Sequence, residues 1–104
     1  VANILCFYRD SYFIWSTMVD APSTFGMTEA ECVEWLSWQN NIPGFGYAAE
    51  AIARANKFGT NSDVITLEDI NSWNRAGPGE SPISLDDIYT IYCSENRQYT
   101  QDNV

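Results

Sequence analysis

The stretch from Asn3 to Val19, NILCFYRDSYFIWSTMV, decides the fold. Its two halves, Asn3 to Arg9 and Tyr12 to Val19, are rich in β-branched, aromatic and apolar residues, with Asp10-Ser11 between them. That pattern predicts two strands joined as a hairpin. In the first strand Ile4, Cys6 and Tyr8 alternate with Leu5 and Phe7, so both faces are apolar. A strand with one face in water alternates apolar with polar; one that is apolar on both sides is covered on both sides. The cover must come from later in the chain, because a lone hairpin is marginal in water. Ala21 to Phe25 is expected to be a loop, with Pro22 breaking any pairing.

The covering elements are read from their starts. Thr28, with Glu31 three residues on, has capping-box spacing and opens a helix expected to reach about Asn40 and stop near Pro43. A second helix is expected from Tyr47 to Phe58, closed by Gly59. Its alanines (Ala48, Ala49, Ala51, Ala53 and Ala55) suit close packing, and Glu50 and Arg54 are spaced for an i,i+4 ion pair. A short third strand is expected around Val64-Ile65. Thr66 with Asp69 caps a short helix through Asn74, which Gly77-Pro78-Gly79 ends. Ser84, with Asp87 three residues later, caps a fourth helix, on which Leu85, Ile88, Ile91 and Tyr92 share one face. The polar tail from Gln98 is expected to fray. Residues 1–104 therefore read as a single α+β domain: an N-terminal hairpin, extended by a third short strand, covered by about four helices.

Composition excludes more than it assigns. Fourteen acidic residues against five basic ones give a net charge of −9, so the chain lacks the cations needed to grip phosphates. Direct nucleic-acid binding and anionic membrane surfaces are both disfavoured, and a basic protein is the electrostatic complement. No apolar run is long enough for a membrane span, and the first residues lack the basic-then-apolar pattern of a secretory signal. With no histidine in the chain, Ser-His-Asp and Cys-His catalysis and histidine metal ligation are all ruled out. Cys6, Cys32 and Cys93 are odd in number, far apart and in no C-x-x-C pair, which reads as three reduced core thiols rather than a disulfide or zinc framework. No cofactor is implied, and no metal.

The acidity has a local explanation in part. Glu29, Glu31, Glu68, Asp69, Asp86 and Asp87 all fall in expected first turns, where carboxylates offset the helix dipole. The adjacent pairs Glu68-Asp69 and Asp86-Asp87 are better explained this way than as catalytic acids. A calcium loop over Asn61 to Glu68 fails, because aligning Ile65 at the hydrophobic position puts Asp63 where glycine belongs. Gly44-Phe45-Gly46 is a turn before a helix and weak evidence for phosphate binding. Sharper is Trp38, which helical spacing puts opposite Cys32, Val33, Trp35 and Leu36 and between Glu31 and Glu34. A Trp ringed by carboxylates suits a protein-binding anchor; the competing reading packs it under the loop from Asn40 to Phe45, since most Trp residues are largely buried. Glu31, Glu34, Trp38 and Glu50 are thus the candidate partner-binding residues.

Two stretches, Trp15 to Pro22 continuing through Gly26-Met27-Thr28 and Asn74-Arg75-Ala76-Gly77-Pro78-Gly79-Glu80, resemble small uncharacterised proteins carried by bacteriophages. The resemblance carries no catalytic residue. It implies a setting, the cytoplasm of a bacterial host, and by analogy with small acidic phage proteins an anti-CRISPR or anti-restriction role. The expected function is a non-enzymatic inhibitor that occludes a basic, nucleic-acid-handling host protein. One alternative is a virion or assembly protein that self-associates, for example as a homodimer, through the hairpin edge or an aromatic patch; another is a small enzyme using carboxylates or Cys. Arg75, near a helix end, is expected to make a buried pairing with an acid rather than act in function.

Overall fold

The hairpin register puts the side chains of each strand on two opposite faces and so sets the whole arrangement. In the computed structural model, which describes residues 3–40 and 45–93 (side chains for 3–37 and 48–93), β1 (Asn3–Tyr8) pairs antiparallel with β2 (Ser11–Ser16). Cys6 stands opposite Phe13 and Phe7 opposite Tyr12, whose rings lie 4.5 Å apart. The connecting residues are Arg9-Asp10 rather than Asp10-Ser11: Ser11 is buried in β2, and Arg9 takes φ +60° to make the tight reversal. The second strand ends at Ser16, short of Val19, because the chain turns back there, with the Asp20 N–H donating to the Ser16 carbonyl at 2.8 Å.

The third strand is real but not where the sequence put it. It is β3 (Ala21–Pro22), paired with β2 so that the order is β1-β2-β3. Pro22 was expected to prevent pairing. It stands opposite Trp15, whose backbone groups face β1 in the antiparallel alternation, so no N–H is asked of the proline. Val64 and Ile65 form no strand; both amides donate to Ser62 Oγ at 3.0 Å, which turns the chain.

One sheet face, with Leu5, Tyr12 and Ile14, packs on α1 (Glu29–Asn40) and α2 (Phe45–Phe58) through Cys32, Trp35, Leu36, Ala48, Ala51, Ile52 and Ala55. The other, with Ile4, Cys6, Phe13 and Trp15, packs on α3 (Leu67–Trp73) and α4 (Leu85–Ile88) through Ile70 and Ile88, with Ala76 and Cys93. The result is three layers, with the apolar sheet in the middle and helices on both sides, as the two-sided hairpin requires. Burying each large side chain of the sheet is worth about 1.5–3 kcal/mol.

The helix starts form as read. Thr28 and Glu31 exchange both capping-box bonds, at 2.9 and 3.2 Å, as do Thr66 and Asp69, and Ser84 Oγ accepts from the Asp87 N–H. Gly59 closes α2 at φ +91°, where a Cβ would also strike Leu67 Cδ1 at 2.6 Å. The last helix departs from expectation. After α4 the chain continues as a turn of π-helix, Tyr89–Cys93. There residue i+5 rather than i+3 stands over residue i, so Cys93 joins Ile88 in the core and Ile91 is left 61% exposed.

Both hairpin edges are occupied within the chain. Phe7 N–H donates to the Gly59 carbonyl, and Leu5 exchanges bonds with Asn61, around a bridge from Cys6 to Thr60. On the other side Tyr12 pairs with Met27, and Ile14 is held by Ser23 and Thr24. Self-association by strand pairing along Leu5–Phe7 or Tyr12–Ile14 is thereby closed.

Candidate functional site

The four sequence-derived residues divide. Glu31 is half-buried, and its carboxylate accepts the Thr28 N–H, so it fixes the start of α1 rather than standing free for a partner. Glu34, one turn on, is exposed, on a helix whose buried side carries Cys32, Trp35 and Leu36. Glu50 is exposed on α2, whose buried side is the alanine ridge Ala48, Ala51 and Ala55 with Ile52. The side chain of Trp38 lies outside the described residues. Glu34 and Glu50 therefore belong to one layer, on two helices that pack against each other.

The expected Glu50–Arg54 pair does not form. Arg54 turns instead to the Asp63 carboxylate, its Nε donates to the Asn61 carbonyl at 3.3 Å, and its guanidinium lies 5.6 Å from the centre of the Phe58 ring. The i,i+4 pair is weak, about 0.2–0.5 kcal/mol, so a loop that offers a carboxylate and a carbonyl together wins. Glu50 is left lining a cleft of about 290 Å³ with Ala51, Arg54, Asn61 and Asp63. A second cleft, about 420 Å³, adjoins it and is lined by Asn3, Ile4, Asn61, Ser62, Asp63, Val64 and Ile65. Sequence reasoning missed this place because a short strand was expected around Val64-Ile65. The signal available was Asn61-Ser62-Asp63, three residues that favour turns.

A polar cluster at the hairpin tip was also missed. Tyr8 donates to Asp86 at 2.5 Å, Tyr89 donates to Asp10 at 2.6 Å, and the Arg9 guanidinium lies over the Tyr89 ring at 4.6 Å and 3.9 Å from Asp86. The hydrogen bond from Tyr89 holds the Asp10 carboxyl below its ordinary range. The same kind of bond holds Tyr8 and Tyr89 above the ordinary phenol range. Ionised carboxylate and protonated phenol are thus each the favoured form, which ties the hairpin to α4 and moves no proton near neutral pH. The thiols are equally inert: burial pushes Cys6 far up, with Cys93 adding to it, and burial beside Glu29 pushes Cys32 up to about 12. Among the described residues no three His, Cys, Asp or Glu side chains gather as metal ligands, and no helix is long and apolar enough to cross a membrane.

Arg75 pairs with acids as the sequence suggested, but at the surface rather than buried: half-exposed, it reaches Asp20 at 3.2 Å, Glu80 at 3.3 Å and the Met18 carbonyl at 3.0 Å. With Arg9, Arg54 and Arg75 all satisfied internally, Glu29, Glu34, Glu50, Glu68 and Asp87 have no cationic partner among the described residues. No family model, curated protein or solved structure matches the chain.

Proposed function

We propose that this chain is a non-enzymatic binding protein that occludes a basic, nucleic-acid-handling protein of a bacterial host, as anti-CRISPR and anti-restriction proteins do. The observation that carries the reading is the internal pairing of the arginines. Because each of the three described arginines is engaged within the chain, Lys57 is the one described cation left beside the free carboxylates of α1 and α2, Glu29, Glu34 and Glu50, which outnumber it and set the sign of that outer surface. Such a surface steers a basic partner and blocks its approach to phosphates. Glu34 and Glu50 lead the contact; Glu31 supports it only by holding α1.

The test is a capture from bacterial lysate at low and high salt, with the captured proteins identified and their nucleic-acid binding then assayed with the pure chain added. The reading expects a basic nuclease, restriction or CRISPR component that salt releases and that the chain inhibits. Glu34→Lys with Glu50→Lys should abolish the inhibition; Glu31→Lys is avoided because it breaks the cap. Inhibition indifferent to salt and to that double substitution would overturn the electrostatic mechanism.

A further inference from the structure

The two clefts share Asn61 and Asp63 in their walls and so adjoin, one reaching Glu50 on α2 and the other Asn3 at the start of β1; the pair is termed the groove. At the α2 end the one cation among the lining residues, Arg54, is fixed by Asp63 and the Asn61 carbonyl. Turning it to Glu50 would give up both bonds, so the Glu50 carboxylate lines the cleft without a counter-ion among the described residues. Lys57, two turns further along α2, sits 5.3 Å from the Phe58 ring centre and forms no ion pair with Glu50.

The other end offers a strand edge. Leu5 and Phe7 present their backbone groups away from β2, and Asn61 and Gly59 take them. By the antiparallel alternation Asn3 presents its N–H and carbonyl on that same edge, and it lines the groove with no bond to a described residue there. Beside it Val64 is 81% exposed, yet its amide is held by Ser62 Oγ, so an apolar side chain is offered from an anchored backbone.

We propose that this groove receives an extended basic segment of a protein partner, with an Arg or Lys side chain against Glu50, an apolar side chain against Val64 and main-chain pairing at Asn3. The inference rests on the reading of the chain as a binder of a basic protein and gives that contact a place. An open strand edge supplies main-chain bonds, and flanking pockets supply side-chain selection, which is how extended peptides are bound elsewhere. The uncompensated carboxylate selects a cation over an acid or an amide at its end of the groove.

The probe is a blocked Val-Arg-Val-Arg-Val peptide titrated at low salt into the isotope-labelled full chain and followed by amide NMR shifts. Shifts are expected at Asn3, Glu50, Arg54 and 61–65. Glu50→Gln should weaken binding about threefold, as for an exposed ion pair, and Glu34→Gln, the same charge change outside the groove, by less than half as much. Val64→Ser should weaken it with no loss of charge. Glu50 and Val64 are exposed, so the folded spectrum persists in both variants. Shifts centred on Glu34, with Glu34→Gln the weaker variant, would overturn the groove and leave the acidic-surface reading standing. Absence of any peptide binding overturns the groove outright, and the lysate capture then decides the broader reading by itself.

Discussion

On one face of the sheet α1 and α2 bring 12 and 14 residues of regular helix against Leu5, Tyr12 and Ile14. On the other, α3 and α4 bring only 7 and 4 against Cys6, Phe13 and Trp15, and the rest of that layer is turns. The first layer is held by small and apolar side chains packed close. Polar ties hold the irregular chain of the second. Asn74, 1% exposed, donates to the carbonyls of Ile70 and Ile83 at 2.6 and 2.7 Å and accepts from the amides of Ala76 and Ile83. Asn71 caps the start of α4 from α3 through the Leu85 N–H, and Arg75 straps the turn that exposes Met18 and Val19. Regular helix satisfies its own backbone. Turns cannot, so a layer built from them needs side chains to do it. In the helical layer Glu31 is engaged at its own helix start, while Glu34 and Glu50 have no cationic partner among the described residues.

The contrast can be broken by substitution. Asn74→Ala removes all four of these bonds to the backbone and should cost about 3 kcal/mol or more in urea unfolding, a very large effect for deleting a polar surface-type residue. A loss under about 1 kcal/mol would mean that the second layer is held by apolar packing like the first. Ala55→Leu tests the opposite layer. Ala55 is fully buried between α2 and the sheet, so the added methylenes should destabilise by about 1–3 kcal/mol, while the same change at exposed Ala53 should be near neutral.

The smallest expected effect is at the hairpin tip and is read best against pH. The Asp10 carboxyl is depressed in the fold, so its contribution is present above the unfolded carboxylate range and is lost as pH falls through the folded value. The Tyr89 phenol is raised, so its contribution is present below the unfolded phenol range and is lost as pH rises past it. Tyr89→Phe should flatten both limbs of the Tm-against-pH profile together and lower Tm little between them. A change confined to the alkaline limb would show that Arg9 rather than Tyr89 holds Asp10.

Much of the fold was legible because its signals are short-range. The alternation of Ile4, Cys6 and Tyr8 with Leu5 and Phe7 demanded cover on both faces, and three helices start at Thr28, Thr66 and Ser84, where hydroxyl and carboxylate spacing put them. The third strand was misplaced for the converse reason: Val64-Ile65 has strand-forming residues but is turned by Ser62, whereas Ala21–Pro22 has poor ones but lies where β2 needs an edge. Of the candidate site, Glu34 and Glu50 are exposed, as the expected contact requires, but helical spacing had paired Glu50 with Arg54, a pair that does not form. The groove was not legible, since its walls are Asn3, residues 61–65 and α2, separated by up to more than half the chain.

By itself the sequence determined the two-sided hairpin, the helix starts, the acid excess and, in lacking histidine, the chemistry closed to the protein, because these depend on residue type and on neighbours a few positions away. Tertiary structure alone decided that Arg54 turns to Asp63 and leaves Glu50 free, that Glu31 is engaged at its own helix start, that the hairpin edges are closed from Leu5 to Phe7 and from Tyr12 to Ile14, and that a π turn exchanges Cys93 for Ile91 in the core. Each of those outcomes is a choice between partners of similar local strength, and it falls to whichever distant segment the packed sheet brings within hydrogen-bond reach.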